Sequence, residues 1–136
     1  MKIESLIQRH NLVDRVELLG AVKDIGSLYQ EAHLFCLPSR WEGFPNALGE
    51  ALSYGLPSVG YQECGGVCDL IVEGVNGLLA QGNGNSKTLE IALRSLMAND
   101  KKRIKMAQSA VKSVAQYDPE RIYNLWDSFL TKRKNL

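Results

Sequence analysis

Long hydrophobic runs are missing from this chain of 136 residues. Nothing in it approaches the roughly 18–20 consecutive apolar residues of a membrane-spanning helix. The N-terminus lacks the charged-then-apolar pattern of a secretory leader, so the default expectation is a cytoplasmic location. Cysteine is scarce: Cys36, Cys64 and Cys68 are an odd number and too few for a disulfide framework. The C-x3-C of Cys64 and Cys68 has no further Cys or His at metal-ligand spacing, and no metal site is expected. Cys36 reads as a buried strand residue, and the other two as free thiols beside a glycine turn. An excess of one charge is also lacking, with 16 Lys+Arg against 15 Asp+Glu. A net charge near +1 supplies no global field for nucleic acid. No G-x-G-x-x-G occurs, which excludes the dinucleotide fingerprint.

What remains is an ordinary globular balance, 45% hydrophobic and 23% charged, long enough for one domain over residues 1–136. Residues 1–10 read as a helix with Ile3, Leu6, Ile7 and His10 on one face, stopping at Asn11. Val16 to Leu19 reads as a short strand, and Asp24 as the cap of a small helix carrying Ile25, Leu28 and Tyr29. Leu34 to Leu37 is expected as a strand buried on both faces, because its apolar character is continuous. A helix over 45–54 follows, then strands near 57–61 and 78–80 separated by a helical turn near Asp69. Ser86 is expected to cap a helix turning Leu89, Leu93, Leu96 and Met97 inward. A more polar helix spans 100–116, and Asp118-Pro119 opens a last one with Ile122, Trp126, Phe129 and Leu130. Strands alternating with helices predict an α/β fold, a Rossmann-like parallel sheet with flanking helices.

The chemistry concentrates in Ser39-Arg40-Trp41-Glu42-Gly43-Phe44-Pro45-Asn46-Ala47-Leu48-Gly49-Glu50-Ala51-Leu52. Read physically, this is the end of a strand, a loop and the start of a helix, the junction where open α/β sheets bind phosphorylated ligands. With Pro45 as the first helical residue, Glu42 lies on the loop and Glu50 about a turn and a half into the helix. Between the two carboxylates lie open backbone N–H groups and the positive end of a helix dipole, which suit a phosphate. The order carboxylate, phosphate site, carboxylate suits a sugar, a diphosphate and a ribose in a row.

This segment resembles the E-x7-E motif of the retaining glycosyltransferases of family 4, which have the GT-B architecture. Four further segments resemble the same family in the same order. They are Leu12-Val13-Asp14-Arg15-Val16-Glu17-Leu18-Leu19-Gly20, Ala51-Leu52-Ser53-Tyr54-Gly55-Leu56-Pro57-Ser58-Val59, Gly65-Gly66-Val67-Cys68-Asp69-Leu70-Ile71 and Val72-Glu73-Gly74-Val75-Asn76-Gly77-Leu78-Leu79. Asp69 stands where the family usually has Glu, and Cys68 where Pro is common.

The resemblance implies a partial GT-B C-terminal domain, the half that binds a UDP- or GDP-linked sugar. By that resemblance the first strand–helix units are expected to lie outside this sequence, and with them the segment that usually carries an Arg and a Lys for the diphosphate. By position, Glu42 is the catalytic-site carboxylate that holds donor-sugar hydroxyls, without a nucleophile's role. Gly43, Phe44, Pro45 and Asn46 would face sugar and phosphates, and Glu50 would accept both ribose hydroxyls. The donor is a substrate, so no cofactor is implied, and GT-B enzymes generally need no metal.

Implied partners are the nucleotide sugar, a saccharide or lipid-linked acceptor and the missing N-terminal half, which the isolated chain would need for activity. Transfer would proceed with retention, in the setting of bacterial polysaccharide, glycolipid or glycoprotein assembly. Basic clusters at Lys101, Lys102, Arg103 and Lys105 and at Lys132-Arg133-Lys134 either rest on the inner membrane face or are solvated helix faces. An exposed sheet edge would allow self-association. Arg40 is a further cation near the site, and Asp69 with Gly65-Gly66 either shapes the pocket floor or forms a turn. The competing readings are a non-catalytic sugar-nucleotide-binding or scaffold module acting with a partner chain, and a GT-B epimerase relative.

Overall fold

The computed structural model describes residues 3–133, with side chains through Thr131. The elements run α1 (Ile3–Arg9), α2 (Ile25–Glu31), β1 (Phe35–Leu37), α3 (Asn46–Ser53), β2 (Ser58–Tyr61), α4 (Gly65–Leu70), β3 (Gly77–Ala80), α5 (Ser86–Met97), α6 (Asp100–Ser113), a 3-10 turn (Ala115–Tyr117) and α7 (Pro119–Arg133). The three strands form one parallel sheet in the order β1-β2-β3. Parallel neighbours need crossovers, and α3 and α4 supply them. The loops leaving the strands, 38–45, 62–64 and 81–85, therefore share one end of the sheet.

Burial explains the middle of this arrangement. All four residues of β2 are buried, and Leu48, Leu52, Val59, Val67, Ile71, Leu96 and Met106 are essentially inaccessible to solvent. They join α3, β2, α4, α5 and α6 in one apolar core. Asn76 is buried among them with every polar atom used. Its Oδ1 accepts from Val72 N at 2.7 Å, and its Nδ2 donates to Leu70 O at 2.9 Å and Ser113 Oγ at 2.8 Å. One amide thus fixes the exit of α4 and docks it on α6. Glu73 Oε2 accepts from Leu79 N at 2.5 Å and closes the same turn.

Several expectations need correction. Residues 16–19 form no strand: Val16, Leu18 and Leu19 are exposed, and the backbone bonds nearby, Arg15 N and Val16 N to Leu12 O, are local turns. A lone apolar run has no ladder to join. β1 is half-buried along its length rather than buried on both faces, because its outer edge has no neighbour in the sheet order. Pro45 is the N-cap of α3 and not its first helical residue, at ψ 92°. Asn85 rather than Ser86 caps α5, its side chain accepting from Lys87 N.

Met97 is exposed because α5 ends there. The helix over 100–116 stops at Ser113 and tightens into the 3-10 turn. Cys64 is buried, Cys36 is half-buried, and only Cys68 of the three is exposed. Arg103 is no open cation. Its Nη1 donates to Leu96 O at 2.6 Å and Met97 O at 2.9 Å, so it satisfies the last carbonyls of α5. The side chains of Lys132, Arg133 and Lys134 lie outside the described residues. No helix among the described residues is long and apolar enough to cross a membrane.

Candidate functional site

The loop 38–45 is built by its neighbours. Gly66, in the first turn of α4, donates its N–H to Glu42 O at 3.2 Å. A Cβ on Gly66 would overlap Gly43 O and crowd Pro45 Cδ, so only glycine permits this approach. From the other side, Asn83 Nδ2 donates to Arg40 O at 2.8 Å. Gly84, at φ +83°, leaves room for the Arg40 guanidinium, which a Cβ there would overlap. Arg40 thus packs against the turn after β3. The Asn83 Oδ1 atom is buried and has no hydrogen-bond partner among the described residues.

Beyond the loop, Pro45 leads into α3 without any side-chain cap hydrogen bond. The first N–H groups of an eight-residue helix are left open by its own geometry. They carry the positive end of the helix dipole and can meet an anion or water.

One open groove of about 720 Å³ runs along α3 from this end to its last residue. Phe44, Asn46, Gly49, Glu50 and Ser53 line one side, and Val111, Val114, Ala115, Tyr117, Asp118 and Pro119 the other. Phe44 and Tyr117 meet edge-to-face, with ring centroids 5.2 Å apart. Asp118 is engaged as the cap of α7, its Oδ1 accepting from Glu120 N at 3.0 Å. The structure therefore brings Phe44, Asn46 and Glu50 together. Glu42, Gly43 and Pro45 do not line this groove; Glu42 sits half-buried on the loop and Pro45 is buried beneath it. Asp69 and Cys68 are exposed on α4, and no lysine or arginine lines the groove.

Tyr29 and Tyr117 escaped the sequence reading. Tyr29 sits in an apolar helical stripe, which reads simply as core, yet its hydroxyl lies 3.5 Å from Glu50 Oε2 and 3.3 Å from Ala47 O. Burial first, and then the Glu50 charge, push the Tyr29 phenol above its usual pKa. Tyr117 carries no local signal, because only the turn after α6 brings it to Phe44. Among the described residues, no three His, Cys, Asp or Glu side chains cluster to hold a metal.

A parallel sheet with its crossover helices, and an open groove past the first strand, define an α/β protein of the kind that binds ligands at the carboxyl ends of its strands. The chain is similar to HepE of Anabaena, solved with UDP and glucose, at 28% identity and a TM-score of 0.87 over 95% of this chain and 35% of that one. Residues 1–113 match the family described as Glycosyl transferases group 1, and the chain belongs to that family.

Among curated relatives, it is 36% identical over 103 residues to an N,N'-diacetylbacillosaminyl-diphospho-undecaprenol alpha-1,3-N-acetylgalactosaminyltransferase of Campylobacter jejuni, covering 76% of this chain and 27% of that protein. It is 28% identical over 124 residues to the amylovoran biosynthesis glycosyltransferase AmsD of Erwinia amylovora, covering 91% of this chain and 34% of that protein. The chain thus spans about a third of the length of such relatives.

Proposed function

We propose that this chain forms the donor-binding part of a retaining, family-4-like glycosyltransferase that uses a UDP- or GDP-linked sugar. The observation that carries this reading is the position of Glu50. It stands on an open groove beside Asn46, one helical turn past an uncapped helix N-terminus at the exit of a parallel strand. A carboxylate offers two oxygens to a vicinal diol, and the open N–H groups beside it favour phosphate. Glu50 is the ribose ligand in this reading, with Phe44 and Asn46 beside it. Glu42, Gly43 and Pro45 belong to the loop that faces the sugar, and Glu42 holds sugar hydroxyls.

Retaining transfer passes through a cationic sugar and a departing diphosphate, so its cost lies mainly in charge stabilisation and water exclusion. With no cation on the groove, a diphosphate would rely on the α3 N-terminus here and on groups from outside this chain. A separate N-terminal half would supply the acceptor site. The Campylobacter relative, named for its action on a diphospho-undecaprenol-linked sugar, supports a saccharide or lipid-linked acceptor, and with it a peripheral place at the inner membrane face.

Calorimetric titration with UDP-glucose and with GDP-mannose tests the donor role. One of the two binds, Glu50→Ala weakens it at least tenfold, and Glu42→Ala weakens the sugar nucleotide more than the free nucleotide. Absence of binding by both at millimolar concentration contradicts it and favours a scaffold role.

A further inference from the structure

Tyr29 does not line the groove itself, but its buried hydroxyl reaches Glu50, which does. Tyr29 comes from α2, a different element from the loop and helix that carry the groove. The residue is 6% exposed. Its ring packs edge-on against Phe35 of β1 at 6.0 Å and tilted against Tyr54 at 5.4 Å. A phenylalanine would fill that space as well. What the phenol adds is a hydroxyl within reach of Ala47 O at 3.3 Å and Glu50 Oε2 at 3.5 Å. Ala47 O lies inside α3, where the intrahelical ladder already supplies it a donor. The Glu50 side chain has no such provision. It projects from an exposed helix position, and a free glutamate samples several rotamers that binding would have to freeze.

We propose that Tyr29 is a positioning residue for this site. Its hydroxyl holds Glu50 Oε2 and so presents the rest of the carboxylate to a hydroxyl-bearing ligand in the groove. Each carboxylate oxygen can accept more than one hydrogen bond, so the tie to Tyr29 does not exhaust Oε2. A phenol keeps its proton across the neutral range, and burial and Glu50 raise its pKa further, so the donor is permanent. The inference rests on the reading of Glu50 as a ligand group and deepens it.

The test is a double-mutant cycle on the affinity for whichever of UDP and GDP binds, measured by NMR titration for the wild type, Tyr29→Phe, Glu50→Ala and the double variant. Tyr29→Phe weakens that nucleotide three- to tenfold with little change in urea midpoint, and has no further effect once Glu50 is alanine. A nucleotide-free readout accompanies it: the Tyr29 Cζ shift, followed against pH, titrates closer to the ordinary tyrosine range in Glu50→Ala. Wild-type affinity in Tyr29→Phe while Glu50→Ala loses binding overturns the inference alone. So does an equal loss in both backgrounds, or a phenol titration indifferent to Glu50. If neither UDP nor GDP binds, or Glu50→Ala binds as the wild type does, the ligand reading falls and the inference with it.

Discussion

Gly66 N donates to Glu42 O at 3.2 Å, and no side chain separates the first turn of α4 from the loop that carries Glu42. The contact joins two segments 24 positions apart in the sequence and sets the height of that loop above the sheet. Gly66→Ala therefore forces Gly43 and Pro45 to move. It should destabilise the protein by about 1–3 kcal/mol in urea unfolding, as overpacking does. Amide shifts at residues 42–46 should change most. An unchanged midpoint would show that the loop is not held by this contact.

Gly84 makes a second test of the same loop. Its φ of +83° and the Arg40 guanidinium packed against it both resist a side chain. Gly84→Ala should cost about 1–2 kcal/mol from the left-handed backbone, plus the displacement of Arg40. Combining it with Arg40→Ala should recover the second part. Strict additivity of the two variants in denaturation would deny the packing.

Asn76 offers the largest single loss. Asn76→Leu leaves Val72 N without its buried acceptor and removes the donor from Leu70 O and Ser113 Oγ. Leaving the buried Leu70 O unpaired costs about 1–3 kcal/mol. The losses are smaller at Val72 N, on an exposed residue, and at Ser113 Oγ, which still donates to Ala110 O, so the urea midpoint should fall. A midpoint near that of the wild type would assign Asn76 no structural role.

The pH dependence has a defined sign. The Tyr29 phenol is raised above its ordinary value of 10.0, first by burial and then by Glu50. The native state thus keeps that proton after the unfolded chain has lost it. The resulting stability is complete below pH 10 and is lost as pH rises through the native value. Alkaline unfolding of Tyr29→Phe should lack this component; identical alkaline curves for the two proteins would contradict it.

Much of the fold was legible because local chemistry and burial agreed. Asp24 caps α2 through Ser27 N and Oγ, as its place before an apolar stripe suggests. The apolar run ending at Leu37 pairs in parallel with β2. Val16 to Leu19 misled because an apolar alternation says nothing about whether a partner strand lies beside it. Met97 misled because helical periodicity does not reveal where the last turn leaves the core.

For the site, three of the residues singled out by the motifs, Phe44, Asn46 and Glu50, line one groove, and Glu42, Gly43 and Pro45 do not. They could not give Tyr29 or Tyr117, whose roles come from packing between elements far apart in sequence. In the Val72 to Leu79 segment Asn76 is structural, since it spends every polar atom inside the core.

The central claim is that Glu50 and the α3 N-terminus form a nucleotide site. The direct measurement is a set of amide correlation spectra of the labelled protein, titrated with UDP and with GDP, for the wild type and Glu50→Ala. The account predicts saturable shifts confined to residues 42–50 with one of the two nucleotides, lost in the variant. A dispersed spectrum that no nucleotide moves at millimolar concentration, or shifts that survive Glu50→Ala, would contradict it.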